Sequence, residues 1–354
     1  MQFHQNIARS FSSILVIFLV SSLIASCSAT TPSPTAPPAT STQEFQAPAA
    51  NTMTPVPSPT SAVKMALLIA PEGNSDAQIT ELQKTLSSLA LSSSLEFKTQ
   101  QTLSAQDVEA STSVVVVLPP DPGLEEIAKA SPQTQFVAIG IENLKPSGNL
   151  SVIGPQGFQS DNQSFLAGYI AALLTNDFRV GIISQNAQDS TSVQAAFING
   201  VRFYCGLCRP AFPPYGVYPQ ASEVTGGGTN ADWKAAADTL LQGAVSTIYV
   251  TPASSSPDLL NYLVESGVDL IGGQTPPESI TSKWIATVLP DPASALQQIW
   301  PDLIEGKGEA QLAMPFKVTD TGSGLLNAAR QRLVDATMKD LVDGYISPDT
   351  ITGP

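Results

Sequence analysis

Histidine is almost absent from this chain of 354 residues, which contains one, His4, close to its amino end. Ser-His-Asp and Cys-His nucleophile systems need an imidazole, and His-based zinc sites need its ring nitrogens. We expect the segment that carries His4 to be removed, so the mature chain would hold neither kind of site. Carboxylate-only chemistry such as glycoside hydrolysis stays open, because it needs only Asp and Glu.

Positive charge is also scarce. Lys and Arg number 16 against 30 Asp and Glu, and the formal net charge is −14. Phosphate binding needs clustered Lys and Arg, so the composition disfavours nucleic acid or an anionic membrane surface as a partner. Hydrophobic residues make up 42% of the chain, enough for one large or two modest α/β domains with their own cores.

The amino-terminal residues have the layout of a secretion signal. Residues 1–10 carry Arg9 and no acid, and residues 11–25 are strongly apolar but too short for a comfortable membrane span. They end in Ile24-Ala25-Ser26-Cys27, which resembles the lipobox of bacterial lipoproteins, whose Cys is acylated. We predict a signal peptide over residues 1–26 and a lipid on Cys27 that anchors the chain at the extracytoplasmic face of the cell membrane. The alternatives are an ordinary secretory signal with a chance Cys, or an uncleaved membrane anchor.

Pro, Thr, Ser and Ala dominate the stretch that follows Cys27, and it shows no apolar periodicity. Such a segment cannot bury enough surface to offset the entropy that ordering would cost. We therefore predict that residues 27–61 are a lipidated Cys followed by a disordered tether.

From residue 62 the pattern changes to alternating strands and helices. Residues 113–118 read SVVVVL, and β-branched side chains on consecutive positions are typical of a strand covered on both faces of a parallel sheet. Repeated strand–helix units predict doubly wound sheets, and a restart near Arg179 predicts a second lobe. We expect a first lobe over residues 62–176 plus about 290–320, and a second over 177–289 plus about 321–354.

The sequence around Arg179, where the second lobe is predicted to start, resembles that of a known family. Residues 163–173 (QSFLAGYIAAL) and 179–183 (RVGII) are similar to the "SFLAG…AAL…KVGF" segment of basic membrane protein family lipoproteins. Residues 197–201 (FINGV) and 235–244 (AAADTLLQGA) resemble further segments of that family, in the same order. The resemblance implies the type I periplasmic binding protein fold and a substrate-binding role with an ABC permease as membrane partner. Several members of the family bind purine nucleosides.

Two positions depart from the family pattern. Family members usually carry a Phe after the first strand, where it can stack on a base, whereas residues 72–77 read EGNSDA. The family's "IGVD" strand end, whose Asp can accept hydrogen bonds from ribose hydroxyls, reads IGGQ here. Gln274 offers a donor and an acceptor but no charge. We expect a small, uncharged polar solute, nucleoside-like or sugar-like.

Candidate ligand-binding residues follow the predicted strand ends, because ligands of doubly wound sheets lie beyond those ends. Each could instead serve as a helix cap or turn residue. They are Asn74, Ser75, Asp76, Asp121, Glu142 and Asn143 in the first lobe, and Gln185, Asn186, Thr251, Ser254 and Gln274 in the second. Trp233 and Phe158 could stack on a planar ligand, with core packing as the alternative.

Two cysteines form a Cys205-Gly206-Leu207-Cys208 motif after a predicted helix. A redox-active pair would sit at a helix amino end, and a zinc site would want a second pair of ligands. We therefore predict a structural disulfide in an extracytoplasmic protein.

The sequence thus predicts a monomeric solute-binding lipoprotein of an ABC importer, with no catalytic residue, metal or cofactor. The alternatives are a ligand sensor with the same fold, and a carboxylate-only surface hydrolase.

Overall fold

A computed structural model describes residues 63–71, 77–186, 190–225, 228–319 and 324–348 of the chain. Cys27 and the predicted tether lie outside these residues. Among the described helices, none has both the length and the apolar character that a membrane span requires. The strands are β1 (Met65–Ile69), β2 (Glu96–Gln100), β3 (Thr112–Val117), β4 (Gln135–Ile139), β5 (Leu150–Ile153), β6 (Val180–Asn186), β7 (Gln220–Thr225), β8 (Thr247–Val250), β9 (Asp269–Gly272), β10 (Trp284–Pro290), β11 (Gln311–Leu312) and β12 (Phe316–Thr319). The α-helices are α1 (Ala77–Ser92), α2 (Leu124–Ala130), α3 (Ser160–Leu174), α4 (Ser190–Cys205), α5 (Asn230–Gln242), α6 (Pro257–Glu265), α7 (Pro292–Ile304) and α8 (Ala328–Val342).

The strands form two six-stranded sheets. The first has the order β11-β5-β4-β3-β1-β2, with every pairing parallel. The second has the order β12-β10-β9-β8-β6-β7 and is parallel except for β12, which runs antiparallel to β10. Each sheet and the helices packed on it are called a lobe below.

Each sheet separates two hydrophobic clusters, as the consecutive apolar runs predict. In β1, Ala66 and Leu68 face the cluster built by α1 and α7, whereas Leu67 and Ile69 face the cluster that contains α2. Because successive side chains of a strand point to opposite faces, all five residues of β1 are buried. In the second sheet Tyr249 faces the cluster of α3, α4 and α8, and its neighbours face that of α5 and α6.

Helices α3 and α4 approach each other closely through two glycines. A Cβ added to Gly168 would lie 2.1 Å from the carbonyl oxygen of Phe197, and one added to Gly200 would lie 1.9 Å from that of Phe165. Neither site has room for a methyl group. Gly168 thus packs on the neighbouring helix, and α3 is buried on all sides over its last twelve residues, from Gln163 to Leu174.

The chain crosses between the lobes three times. It passes from β5 in the first lobe to α3 in the second, returns from β10 to α7, and passes again from β11 to β12. The first crossing therefore precedes Ser160, and not residue 177 as the sequence analysis placed it, because α3 buries its side chains against the second sheet. The last crossing precedes Phe316, and not residue 321, because β12 pairs with β10.

Strand β7 has no apolar signal in the sequence. Its sequence, QASEVT, is mostly polar, because β7 is the edge strand of the second sheet and buries few side chains. The apolar residues just before it, at 215–218, do not form a strand, and Tyr215 and Val217 are exposed. Cys205 and Cys208 are joined by a disulfide directly after α4.

Candidate functional site

A pocket opens at the carboxyl edge of the second sheet, where α3 and α4 begin. Its volume is about 230 Å³. This edge is where doubly wound sheets bind ligands, since the strand ends and the following loops leave a crevice there. The lining residues come from the first turns of α3, from α4, and from the ends of β6 and β8: Ser160, Gln163, Ser164, Ser184, Gln185, Val193, Tyr249, Thr251, Pro252 and Ala253.

Gln163 fixes the start of α3 against the sheet. Its side-chain amide is almost fully buried and donates to the carbonyl oxygen of Val288 at 2.7 Å and to that of Gly273 at 3.4 Å. Gly273 is needed here, because a Cβ on it would lie 2.7 Å from the Gln163 amide nitrogen and 2.6 Å from the ring of Pro252. The contact ties the first crossing between the lobes to the ends of β9 and β10.

Tyr249 forms the rear wall of the pocket. Its ring stacks on that of Phe197, with centroids 5.9 Å apart and planes 10° from parallel. Burial raises the pKa of the Tyr249 phenol far above its usual range, and a hydrogen bond with the Ser164 hydroxyl lowers it only in part. Tyr249 is therefore a neutral group at every physiological pH.

The remaining polar groups are held by neighbours. The Gln194 side-chain amide donates to the Ser184 hydroxyl at 2.7 Å, and the Thr251 and Ser254 hydroxyls share a hydrogen bond of 2.8 Å. The Ser192 hydroxyl donates to the Asp161 carboxylate at 2.9 Å and so joins the first turns of α3 and α4. These contacts fix the shape of the pocket before a ligand enters.

None of the described lining side chains is ionised at neutral pH. The polar groups are hydroxyls and amides, which both donate and accept hydrogen bonds. An ion moved from water into such a site would lose its hydration without meeting an opposite charge. A neutral polar molecule could exchange the hydrogen bonds that it makes to water for hydrogen bonds to the pocket. The electrostatics of the pocket thus suit an uncharged, hydroxyl-rich ligand.

Of the residues predicted for the second lobe, Gln185 and Thr251 line the pocket, and Ser254 is buried behind Thr251. Gln274 is half-buried and follows Gly273, which touches the pocket residues Gln163 and Pro252. The side chain of Asn186 lies outside what the structure describes.

Trp233 does not line the pocket, and its proposed stacking role is corrected. It lies on the buried face of α5 with Ala236, Ala237 and Leu240, where the helical spacing directs it into the core of the second lobe. Phe158 likewise packs on the first lobe, with its ring against Gly140.

The predicted first-lobe residues follow the carboxyl ends of their strands. Asp121 is exposed, and its carboxylate accepts from the backbone N–H groups of Gly123 and Leu124 at 3.0 and 2.9 Å, which is the behaviour of a turn residue. Glu142 and Asn143 are exposed after β4, and Asn143 has a positive φ of 63°. Asn74, Ser75 and Asp76 lie outside the described residues.

Five further lining residues were not predicted from the sequence: Ser160, Gln163, Ser164, Ser184 and Tyr249. The predicted residues follow strand ends, so the polar first turn of α3 was not among them. Ser160-Asp161-Asn162-Gln163, a polar run directly before an apolar helix and after a strand, was the available signal. Among the described residues no group of three or more His, Cys, Asp or Glu is arranged to hold a metal.

No protein-family model and no curated protein matches the sequence. Solved structures resemble its fold. The ABC transporter system solute-binding protein from Conexibacter woesei DSM 14684 has a TM-score of 0.56 at 17% identity, covering 81% of this chain and 98% of that one. A transcriptional activator of the comK gene from Bacillus halodurans has a TM-score of 0.56 at 13% identity, covering 80% and 99%.

A solute-binding protein from Aeropyrum pernix K1 has a TM-score of 0.52 at 14% identity, covering 80% of this chain and 92% of that one. Likeness at these identities concerns the fold. The prediction of an α/β fold with two parallel-sheet lobes of the type I periplasmic binding protein kind is confirmed.

Proposed function

We propose that this chain is an extracytoplasmic solute-binding lipoprotein of an ABC importer, which holds one small, uncharged polar solute between its lobes and performs no catalysis. The observation that carries the proposal is the pocket at the carboxyl edge of the second sheet, lined by hydroxyl and amide groups without an ionised side chain. The pocket lies beside the first crossing between the lobes, where a change in the angle between the lobes would alter its shape.

The pocket serves as one half of the site. Its volume of about 230 Å³ is below the range of roughly 300–1,000 Å³ typical of complete small-molecule sites. Three chain crossings connect the lobes, and hinge motion at such crossings can bring the facing strand ends together around a ligand. On closure Glu142 and Asn143 of the first lobe would approach the solute, and a carboxylate there accepts hydrogen bonds from hydroxyls.

The lining favours a sugar-like or polyol-like solute over a nucleoside. Trp233 and Phe158 were proposed to stack on a planar ligand, but Trp233 packs in the core and Phe158 packs on Gly140. A purine binds best with an aromatic face on each side, whereas a polyol needs paired donors and acceptors. Gln185, Ser160 and Thr251 supply these.

The membrane role rests on the sequence and on the fold. The lipobox-like Ile24-Ala25-Ser26-Cys27 supports a lipid anchor, and two structures with the same fold are solute-binding proteins of ABC transporter systems. We therefore infer an ABC permease as partner and a monomer that delivers its solute when the closed lobes meet the permease.

A ligand sensor is the second candidate, favoured by one observation: a structure of the same fold is described as a transcriptional activator. A sensor would use the same pocket and closure with a different partner. A carboxylate-only hydrolase is not favoured, because no Asp or Glu is among the described lining residues.

Thermal unfolding of the full chain with a panel of sugars, polyols, nucleosides and amino acids tests the proposal. A solute at 100 times its Kd adds about 2.7 kcal/mol of stability, which raises Tm by about 5 °C for a chain of this size. We expect the largest rise with a sugar or polyol, equal at pH 5.5 and pH 8.5 because the described pocket holds no group that titrates between them.

Gln185→Ala should abolish the rise, since it removes a donor and an acceptor from the pocket. Gln311→Ala, an exposed amide on the edge strand β11, is the matched control and should leave the rise intact. A response to charged amino acids alone, or product formation from any solute, would overturn the proposal.

A further inference from the structure

An exposed aromatic surface lies at the far end of the second lobe from the pocket. We name it the aromatic tip, and its most exposed apolar side chains are between 74% and 83% accessible. These are Leu207, Phe212, Tyr215 and Val217, with Phe203 and Tyr204 partly exposed beside them. Soluble monomers rarely expose this many large apolar side chains within a short stretch of chain unless the surface has a partner.

The aromatic tip is held in place by the rest of the lobe. The disulfide between Cys205 and Cys208 closes the turn that presents Leu207. The Arg179 guanidinium donates to the carbonyl oxygen of Phe212 at 2.7 Å and pairs with the Asp177 carboxylate at 3.2 Å. The exposed side chains therefore lie on a surface that the rest of the lobe already holds in place. Fixing this surface against a partner would cost little entropy.

The same contacts locate the aromatic tip. Arg179 directly precedes β6, whereas Gln185 lies near the end of that strand and lines the pocket. Seven residues of strand span roughly 20 Å. The aromatic tip and the pocket thus lie at opposite edges of the second sheet, and substitutions in one leave the other untouched.

The local charge differs from that of the whole chain. No Asp or Glu occurs from residue 190 to residue 222, and this stretch carries Arg202 and Arg209, both exposed. The net charge of −14 disfavours an anionic surface as a partner of the chain as a whole. Charges farther away than about 8–10 Å are largely screened at physiological salt. A surface touching the tip would therefore sense mainly Arg202 and Arg209, because the charges of the nearby Arg179 and Asp177 compensate each other.

We propose that the aromatic tip seats the second lobe in the headgroup layer of the bilayer that holds the lipid on Cys27. The inference rests on the anchored lipoprotein proposed above and adds a second contact to it. Tyrosine and phenylalanine rings favour the membrane–water interface, where one end stays wet and the other leaves water, and Arg side chains bind lipid phosphates.

The length of chain before the first strand permits this contact. Residues 28–62 can reach on the order of 100 Å when extended, several times the radius of gyration of about 19 Å expected for a domain of this size. A tethered contact is intramolecular and meets an effective concentration near the millimolar range, so a weakly binding tip suffices.

Quenching of a new tryptophan by brominated acyl chains tests the proposal. The acylated full chain is reconstituted into phosphatidylcholine vesicles, as Phe212→Trp and as Leu91→Trp, which is the matched control because Leu91 is 79% exposed on α1 of the first lobe. Trp233, Trp284 and Trp300 are buried and give both variants the same background. We expect brominated lipid to reduce the added emission of Phe212→Trp about two-fold and that of Leu91→Trp hardly at all.

Adding Leu207→Ser and Tyr215→Ser to Phe212→Trp should remove the quenching while the thermal response to solute stays the same. In vesicles that contain phosphatidylglycerol, Arg202→Gln with Arg209→Gln should by themselves weaken the quenching of Phe212→Trp. Equal quenching of both tryptophans, or none in the vesicle-bound chain, would refute the tip contact. A concentration-dependent dimer that Leu207→Ser dissolves would refute it too, because the tip would then bind a second copy.

The mass of the mature amino-terminal peptide distinguishes this failure from failure of the proposed function. If Cys27 carries acyl groups and the tip is not quenched, only the tip contact is wrong. If Cys27 is not acylated, the lipoprotein proposal fails and the tip contact falls with it. Loss of solute binding with a normal tip signal would refute the binding role alone.

Discussion

The two lobes have sheets of the same strand number and near-identical strand order, but their helices cover them differently. In the first lobe α1 and α7 cover one face and the short α2 the other. In the second lobe three helices cover one face, and two of them, α3 and α4, are in backbone contact at Gly168 and Gly200. The second lobe also supplies all the described lining of the pocket.

This difference shows how the second lobe acquires a site. Because α3 and α4 are held together, their first turns stand side by side at the carboxyl edge of the sheet, joined by Ser192 and Asp161. Without that pairing the strand ends of β6 and β8 would open directly to solvent, as exposed Asp121 and Glu142 do in the first lobe. We infer that the second lobe binds solute first and that the first lobe closes over it.

The largest expected effect follows from the glycine contact. Gly168→Ala and Gly200→Ala would each place a methyl group about 2 Å from a carbonyl oxygen, so α3 and α4 must separate. Overpacking of this kind costs about 3 kcal/mol or more when backbone has to move, against about 1 kcal/mol that Ala gains over Gly in a helix. Chemical denaturation should show a clear loss of stability for both variants.

Ser88→Ala on the exposed face of α1 is the control from the first lobe, and it should change stability by less than about 0.5 kcal/mol. If Gly168→Ala proves neutral or stabilising, the helices have room to adjust and the contrast between the lobes is lost. The solute affinity of Gly200→Ala, measured where the variant is still folded, should also fall, because the first turns of α3 and α4 that line the pocket would be displaced.

The sheets could be predicted from the sequence because both their faces are buried. Residues 114–118 are apolar and buried, and that pattern fits a central parallel strand. The edge strands β7 and β11 carry no such pattern, since a strand with one free side keeps polar residues. The crossings between the lobes were placed at the wrong residues. The apolar sequence of α3 predicts that this helix is buried, but it does not predict which of the two sheets the helix packs against.

The pocket could be predicted only in part. Gln185 and Thr251 follow strand ends and were found by that rule, whereas Tyr249 sits inside a buried strand and has the sequence context of a core residue. Gln163 contacts Val288 and Gly273, more than a hundred residues away along the chain. No local sequence pattern predicts such a long-range contact, so the role of Gln163 could not be predicted.

A smaller effect compares one buried tryptophan in each lobe. Trp284 in the second lobe is fully buried and its indole N–H donates to the Thr287 hydroxyl at 2.8 Å, whereas Trp300 in the first donates to the half-buried Ser93 hydroxyl at 3.0 Å. Thr287→Val removes a buried acceptor at constant volume and should cost about 1–3 kcal/mol. Ser93→Ala should cost less than about 1 kcal/mol, because water can reach the indole there.

The midpoint of denaturant unfolding measures both changes. The ordering of the two costs is the informative result: a larger loss for Ser93→Ala than for Thr287→Val would mean that the second-lobe core is the more accessible of the two. That outcome would contradict the contrast between the lobes that their helix packing suggests.

The smallest expected effect concerns the ion pair between the lobes. Lys317 on β12 donates to the Glu81 carboxylate on α1 at 2.9 Å, and this contact raises the pKa of the Lys317 amine. Both side chains are about half exposed, so the pair is worth at most about 0.5 kcal/mol, and this contribution is lost as the pH rises through the raised pKa of Lys317.

Lys317→Met should therefore change Tm by less than 2 °C. Its effect on solute affinity is the sharper measurement, because the pair joins the lobes and so biases the angle between them. We expect a change of up to about two-fold in Kd, with Glu81→Gln giving the same change and the double variant adding nothing to it. Breaking the pair of Lys98 and Glu96, which lies wholly within the first lobe, should leave Kd unchanged. If both ion pairs affect Kd equally, the lobes do not close about the crossings near β12, and the division into a binding half and a closing half is wrong.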